Sequence, residues 1–175
     1  MRTGETIGAR WSEVDLDRRL WVIPAERMKM EIKHSVPLSE PAVAILREMK
    51  AAQTEDSFGP HPFVFPGQKP RQGLSNMAME MVMRRMKVDR YTVHGFRSTF
   101  RTWATEKAKA DYGVAESALT HKVGTKVSQS YDHSDRFQLR VALMGQWADW
   151  LEHDGREKTA AKAAEIVPFK AQAAE

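Results

Sequence analysis

His94, Arg97, His121 and Tyr131 follow one another along a single stretch, as His94-Gly95-Phe96-Arg97, then Leu119-Thr120-His121, then Tyr131. Together with Arg2, in Arg2-Thr3-Gly4-Glu5, and Lys29, they provide what breaking a phosphodiester without metal requires. An oxygen attacking phosphorus builds negative charge on a five-coordinate centre, and the departing oxygen needs a proton. Fixed cationic donors aimed at the non-bridging oxygens lower that barrier. Arginine suits this role because it stays protonated and its planar fork meets phosphate oxygens in pairs. Tyr131 offers the attacking oxygen, and the histidines offer proton-carrying donors. His94 and Arg97 are three residues apart, so on a helix both leave the same face and can reach one phosphate.

Each piece alone has an ordinary explanation. His-x-x-Arg occurs on many solvated helix faces, Arg2 and Glu5 make a common helix ion pair, and an isolated tyrosine is usually core. Arg101, one turn beyond Arg97, is either a competing phosphate ligand or a surface charge. His34, His61, His133 and His153 are scattered and read as surface residues, with His133 a possible local partner for Tyr131. Tyr91 and Tyr112 read as structural. The conjunction in one order is what points to chemistry.

Those residues need a scaffold. At 175 residues, 42% hydrophobic and 29% charged, the chain suits one soluble globular domain. It has no cysteine, which excludes disulfides and thiolate chemistry. No apolar run approaches the ~20 residues of a membrane span and no signal peptide is apparent, so a cytoplasmic protein is expected. A net charge of +4 and a pI near 9.4 suit a nucleic-acid partner without requiring one.

The pattern predicts a mainly α (α+β) fold: helices around one small antiparallel sheet of about three strands. Residues 3–10 read as a short helix, Val14 to Leu16 and Leu20 to Ile23 as a hairpin, and Ser35 to Leu38 as an edge strand because of its proline. The charged segment Arg27 to His34 reads as a mobile turn. Ser39 is expected to cap a helix with Pro41 in its first turn and Ala42, Ile45, Leu46 and Met49 at helical spacing. Residues 54–73 read as loop around Phe63-Val64-Phe65. Met77, Met79, Met81 and Met83 alternate like a strand, but the segment consists of helix formers, which predicts a helix over 76–87 capped by Ser75. Further helices are expected over 94–108, with Phe96, Phe100, Trp103 and Ala104 on one side, then 113–120 and 125–132. The longest spans 136–153, with Phe137, Val141, Met144, Trp147 and Leu151 as its apolar stripe. Residues 1–153 form the domain and 154–175 a tail.

Several segments together resemble the tyrosine recombinase (phage integrase) catalytic domain, near the P4-type integrases. They are Arg2-Thr3-Gly4-Glu5, Ala9-Arg10-Trp11-Ser12-Glu13-Val14-Asp15, Ile23-Pro24-Ala25-Glu26-Arg27-Met28-Lys29, Val36-Pro37-Leu38-Ser39, Phe63-Val64-Phe65-Pro66, Val93-His94-Gly95-Phe96-Arg97-Ser98-Thr99-Phe100, and Ala118-Leu119-Thr120-His121-Lys122-Val123-Gly124 leading to Ser130-Tyr131. The resemblance implies that Tyr131 forms a 3′-phosphotyrosyl bond and that Arg2 and Arg97 clamp the scissile phosphate. It further implies that Lys29, rather than its competitor Lys33, protonates the leaving oxygen. His94 is implied in proton transfer with the nucleophile, and His121 as a phosphate donor. Glu5 would orient Arg2. Such chemistry conserves bond energy, so no ATP, metal or other cofactor is implied, and the chain carries no phosphate-binding Gly-rich loop, His-Glu-x-x-His or tight carboxylate cluster.

The implied function is site-specific DNA recombination on double-stranded attachment sites, by a homotetramer helped by accessory excision or DNA-bending proteins. Trp147 and Trp150 are candidates for packing on a neighbouring protomer, or for plain core packing. The helical core-binding domain that precedes the catalytic domain in this family is not in the chain. Apolar surface is therefore expected around Ile7, Trp11 and the long helix, with Arg2 on a frayed end. The alternative is a truncated remnant that binds DNA without cleaving it.

Overall fold

The computed structural model describes residues 1–53, 62–67, 71–121 and 136–153. Among them run six α-helices and three strands: α1 (Thr3–Ile7), β1 (Val14–Asp15), β2 (Leu20–Ile23), β3 (His34–Pro37), α2 (Glu40–Ala51), α3 (Ala78–Arg85), α4 (Val93–Glu106), α5 (Tyr112–Ala118) and α6 (Phe137–Glu152). The fold is mainly α with one small sheet, as expected.

The sheet is antiparallel in the order β1-β2-β3, with Val14 opposite Trp21, and Trp21 opposite Val36. Its first turn closes through the Asp15 carboxylate, which accepts from Arg18 N at 2.8 Å, and through Arg19 at φ 53°. An Asp side chain bonding the backbone ahead of it is a standard way to start such a turn. Proline-containing β3 lies at an edge, where a missing N–H costs no ladder bond. The segment leading from β2 to β3 is not loose at its start. Arg27 is half-buried, its Nε 2.7 Å from Glu13 Oε1, and its Nη2 donates to Glu5 O at 3.0 Å. Glu13 also accepts from Trp21 Nε1 at 3.0 Å. Reading Arg27 as part of a mobile turn is therefore corrected.

Two apolar clusters make the core. Ala9, Trp21, Ile23, Met28, Leu46 and Val64 pack between the sheet, α2 and the Phe63-Val64-Phe65 segment, and Phe63 bridges back to Arg10. Phe100, Trp103, Ala104, Val114, Leu119 and Leu143 join α4, α5 and α6. Trp147 and Trp150 stack at 5.1 Å and cover this second cluster, with Trp147 4.9 Å from Trp103. Core packing accounts for both tryptophans. Helix α6 also packs on β3 and α2, so it links the clusters.

Several details differ from the sequence reading. Ile7 is buried and Trp11 half-buried, its Nε1 donating to Gln53 at 2.8 Å, so neither is left bare. In α2 the buried positions are Val43 and Leu46, whereas Ile45 is 57% exposed. Ser39 precedes α2 with Pro41 in its first turn, but its hydroxyl makes no cap bond. Helix α3 starts two residues later than a Ser75 cap implies, with Met77 as N-cap; Ser75 contributes only its carbonyl, to Ala78 N. Phe96 is 58% exposed and leaves the α4 core to Phe100, Trp103 and Ala104. The α6 stripe is rotated: Val141 and Leu151 are exposed, while Arg140, Leu143 and Ala148 are buried. The expected helix over 125–132 and the tail beyond Asp154 lie outside the described residues.

No helix among the described residues is long and apolar enough to cross a membrane.

Candidate active site

The C-terminal turn of α5 gathers the site. Leu119, Thr120 and His121 follow the last helical residue, and all three accept hydrogen bonds from arginines of other elements. Arg97, on α4, donates through Nη2 to Leu119 O and to His121 Nε2, the latter at 2.9 Å. Arg2, the N-cap of α1, donates through Nη1 to Thr120 Oγ1 at 3.0 Å. Arg2 and Thr120, 118 positions apart in sequence, are thus brought together beside the two contacts of Arg97. Thr120 adopts φ 57° there. A β-branched residue in the left-handed region is strained, and helices usually place Gly at this position past the cap. The hydroxyl contact with Arg2 accompanies that strain at the site, where such outliers tend to cluster.

Arg2 is fixed from the other side as well. Glu5 Oε2 accepts from Arg2 N at 2.6 Å and Glu5 Oε1 from Arg2 Nη1 at 3.0 Å, so a capping box and an ion pair coincide. Arg2 is therefore anchored, contrary to the expectation of a frayed end. Burial by itself would raise the Glu5 carboxyl, but hydrogen bonds from the Arg2 backbone and guanidinium outweigh it and hold Glu5 below the ordinary 4.5.

A cleft of about 650 Å³ opens in front of these groups, lined by Arg2, His94 and Arg97 on its polar part and by Phe96, Met144 and Trp147 among its apolar walls. Thr92 caps α4, its hydroxyl accepting from Gly95 N at 3.0 Å, which starts the helix one residue before His94. His94 and Arg97 then project from the first turn to the same opening, as their spacing predicts. Arg97 Nη1 is buried and has no hydrogen-bond partner among the described residues. Burial lowers the Arg97 guanidinium from its ordinary range, and the nearby Arg2 charge lowers it further, while Glu5 and Glu116 act in the opposite sense. Two like charges facing one cleft form a receptor for an anion, whose charge would relieve their repulsion.

Lys29 is not drawn into this group. It is exposed in the β2–β3 connection, as is Lys33, and neither lines the cleft. Tyr131 lies outside the described residues, as do His61 and His133. Arg101 is turned away from the cleft to pair with Glu116, and its Nη1 donates to Thr105 Oγ1 at 2.6 Å, so the phosphate-ligand option for it is set aside. Tyr91 and Tyr112 are exposed, under Arg90 and Arg101 respectively. His153 is exposed, whereas His34 is not the surface residue expected: it is buried at the start of β3 and lines the cleft. Arg140, also buried and on the cleft, donates through Nη1 to Ser35 O at 2.6 Å. Glu116 and Thr120 escaped the sequence reading too. The signal for Glu116 is a lone carboxylate in the otherwise small and apolar run Gly113-Val114-Ala115. Among the described residues no group of three or more His, Asp or Glu side chains could hold a metal ion.

Glu5→Gln tests the anchoring of Arg2. The folded carboxyl sits below its unfolded value, so its stabilisation is present above about pH 4.5 and is lost as pH falls through the folded value. At pH 7 the variant should be less stable by about 1–2 kcal/mol. The gap between variant and parent should close in urea melts taken below pH 4.5, the ordinary Glu5 value. A gap independent of pH would contradict this.

The profile of the phage integrase family matches residues 1–137, a span that includes Arg2, Glu5, Lys29, His94, Arg97, His121 and Tyr131. The chain belongs to the phage integrase family. It is 37% identical over 153 residues to the prophage integrase IntA of Escherichia coli K12, covering 86% of this chain and 36% of that protein. It is 31% identical over 169 residues to the integrase of Enterobacteria phage P4, covering 87% and 37%. The integrase of Shigella phage Sf6 is 30% identical over 159 residues, covering 89% and 40%. The chain thus spans little more than a third of the length of these relatives. No solved structure matches.

Proposed function

We propose that this chain carries the phosphate-clamping and strand-transfer centre of a site-specific DNA recombinase of the tyrosine type. The carrying observation is that Arg2 and Arg97 are held on adjacent residues of one turn, facing one cleft, with Arg97 Nη1 unpaired among the described residues. In this reading Arg2 and Arg97 hold the two non-bridging oxygens of one phosphate. Tyr131 Oη attacks phosphorus and its proton passes to His94. The bond to the 5′ oxygen breaks, and Lys29 gives that oxygen its proton as the exposed β2–β3 connection folds onto DNA. The product is a 3′-phosphotyrosyl bond and a free 5′-hydroxyl. Attack by another 5′-hydroxyl reverses every step, so no energy source is consumed. Glu5 keeps Arg2 in place, and double-stranded attachment sites, with protomers arranged as a tetramer, are the assembly this chemistry serves.

A suicide duplex nicked beside the scissile phosphate loses its 5′-hydroxyl by diffusion and traps the covalent step. The full chain should form an adduct that resists denaturant and maps to Tyr131, and Tyr131→Phe should form none. A second reading rests on Lys29, which stays apart from the cleft: DNA binding without cleavage. It is supported if binding weakens steeply with salt while no adduct appears with either protein.

A further inference from the structure

The buried carboxylate of Glu116 has no part in the scheme above, yet it touches the site directly. Its Oε2 lies 2.7 Å from His121 Nδ1, while Oε1 pairs with Arg101. Glu116 is 6% exposed, on a helix that otherwise buries Gly113, Val114 and Ala115. On the far side of the imidazole, His121 Nε2 faces Arg97 Nη2 at 2.9 Å. A guanidinium can only donate, so Nε2 must be the acceptor, and a carboxylate can only accept, so Nδ1 must carry the proton. Which nitrogen of a histidine is protonated is set by the hydrogen bond made by the other. Free histidine prefers the opposite tautomer.

We infer that Glu116 is a positioning residue for the strand-transfer centre, holding His121 as the Nδ1–H tautomer so that its Nε2 stays in register with Arg97 and the phosphate site. This rests on the proposed function for its consequence, though not for its geometry. The chain of contacts runs Arg101, Glu116, His121, Arg97, with Arg2 joined through Thr120. Arg101 satisfies the second oxygen of the carboxylate, which keeps the first one aimed at the ring. The Glu116 carboxylate also fixes a negative charge behind the ring whose other nitrogen meets Arg97. Without it the ring is free to turn or to move its proton to Nε2, where an N–H would confront the Arg97 guanidinium.

Nitrogen-15 NMR of the imidazole in the full chain reads the tautomer directly, and suicide-duplex trapping reads its consequence. In the parent, His121 should show Nδ1–H. Glu116→Met, unbranched and similar in length but without an acceptor, should shift it towards Nε2–H. The same change should slow adduct formation at saturating DNA roughly 10- to 100-fold, as loss of a carboxylate behind a working histidine does elsewhere, with DNA affinity retained. Glu116→Gln keeps an oxygen acceptor and should restore the tautomer and part of the rate. A parent ring with Nε2–H overturns the inference. So does a Met variant with unchanged tautomer, or one in which lost affinity and lost melting temperature account for the whole effect. If the tautomer behaves as stated but the parent never forms an adduct, the DNA-cleavage reading fails and the Glu116–His121 coupling stands.

Discussion

Arg97→Lys should slow covalent trapping of a nicked duplex by about 100- to 1,000-fold, the usual loss when one fixed donor to a developing oxyanion is removed. The charge is conserved, so the loss comes from geometry. Arg97 spends Nη2 on Leu119 O and His121 Nε2, while the residue itself lines the cleft. Lysine has one nitrogen on a flexible stem and cannot hold the α5 turn and reach a phosphate oxygen in fixed directions at once. DNA affinity should change much less than the rate, because backbone binding draws on many cations and Lys supplies the same charge. Equal losses in affinity and rate would make Arg97 a general DNA contact instead. Thermal melts of the variant guard against a trivial cause.

Trp103→Ala should cost about 3–5 kcal/mol in chemical denaturation. Trp103 is 6% exposed and sits among Phe100 at 6.1 Å, Trp147 at 4.9 Å and Trp150 at 6.2 Å. Its removal empties the centre of the contact between α4 and α6, and three surrounding rings cannot collapse into the space without giving up their own tilted and stacked contacts. Because Trp103 shares α4 with His94 and Arg97, trapping should weaken under mild denaturant well before it does in the parent. A loss below about 1 kcal/mol would mean that this cluster is not the packing centre. The same substitution at Phe96, which is 58% exposed, offers the internal comparison.

What could be read from the chain follows from which interactions are local. The hairpin was legible because its two runs, Val14 to Leu16 and Leu20 to Ile23, are close neighbours in the chain. Helix α4 and the shared face of His94 and Arg97 follow from a three-residue spacing alone. The α6 stripe was misplaced because its register is set across the molecule: Arg140 is buried, with its Nη1 on Ser35 O, 105 residues away, and its guanidinium near the Phe137 ring. An arginine at an inward position has no sequence signature, so Val141 and Leu151 were given the core in place of Arg140 and Ala148. His34 was misread for the same reason, since β3 carries it to the cleft wall. The candidate site divides along the same line. Arg2, Glu5, His94, Arg97 and His121 were recognisable by type and order. Glu116, which pairs with Arg101 and His121, and Thr120, which receives Arg2, acquire these partners only when α4, α5 and α1 are folded together.

The most direct test of the clamp is a structure of the chain bound to a duplex nicked beside its scissile phosphate. A single phosphate should lie within hydrogen-bond reach, about 3 Å, of both Arg2 and Arg97 Nη1, with the Tyr131 hydroxyl opposite the oxygen that leaves. Guanidinium groups resting on two different phosphates, or a DNA backbone that bypasses the cleft, would contradict the account.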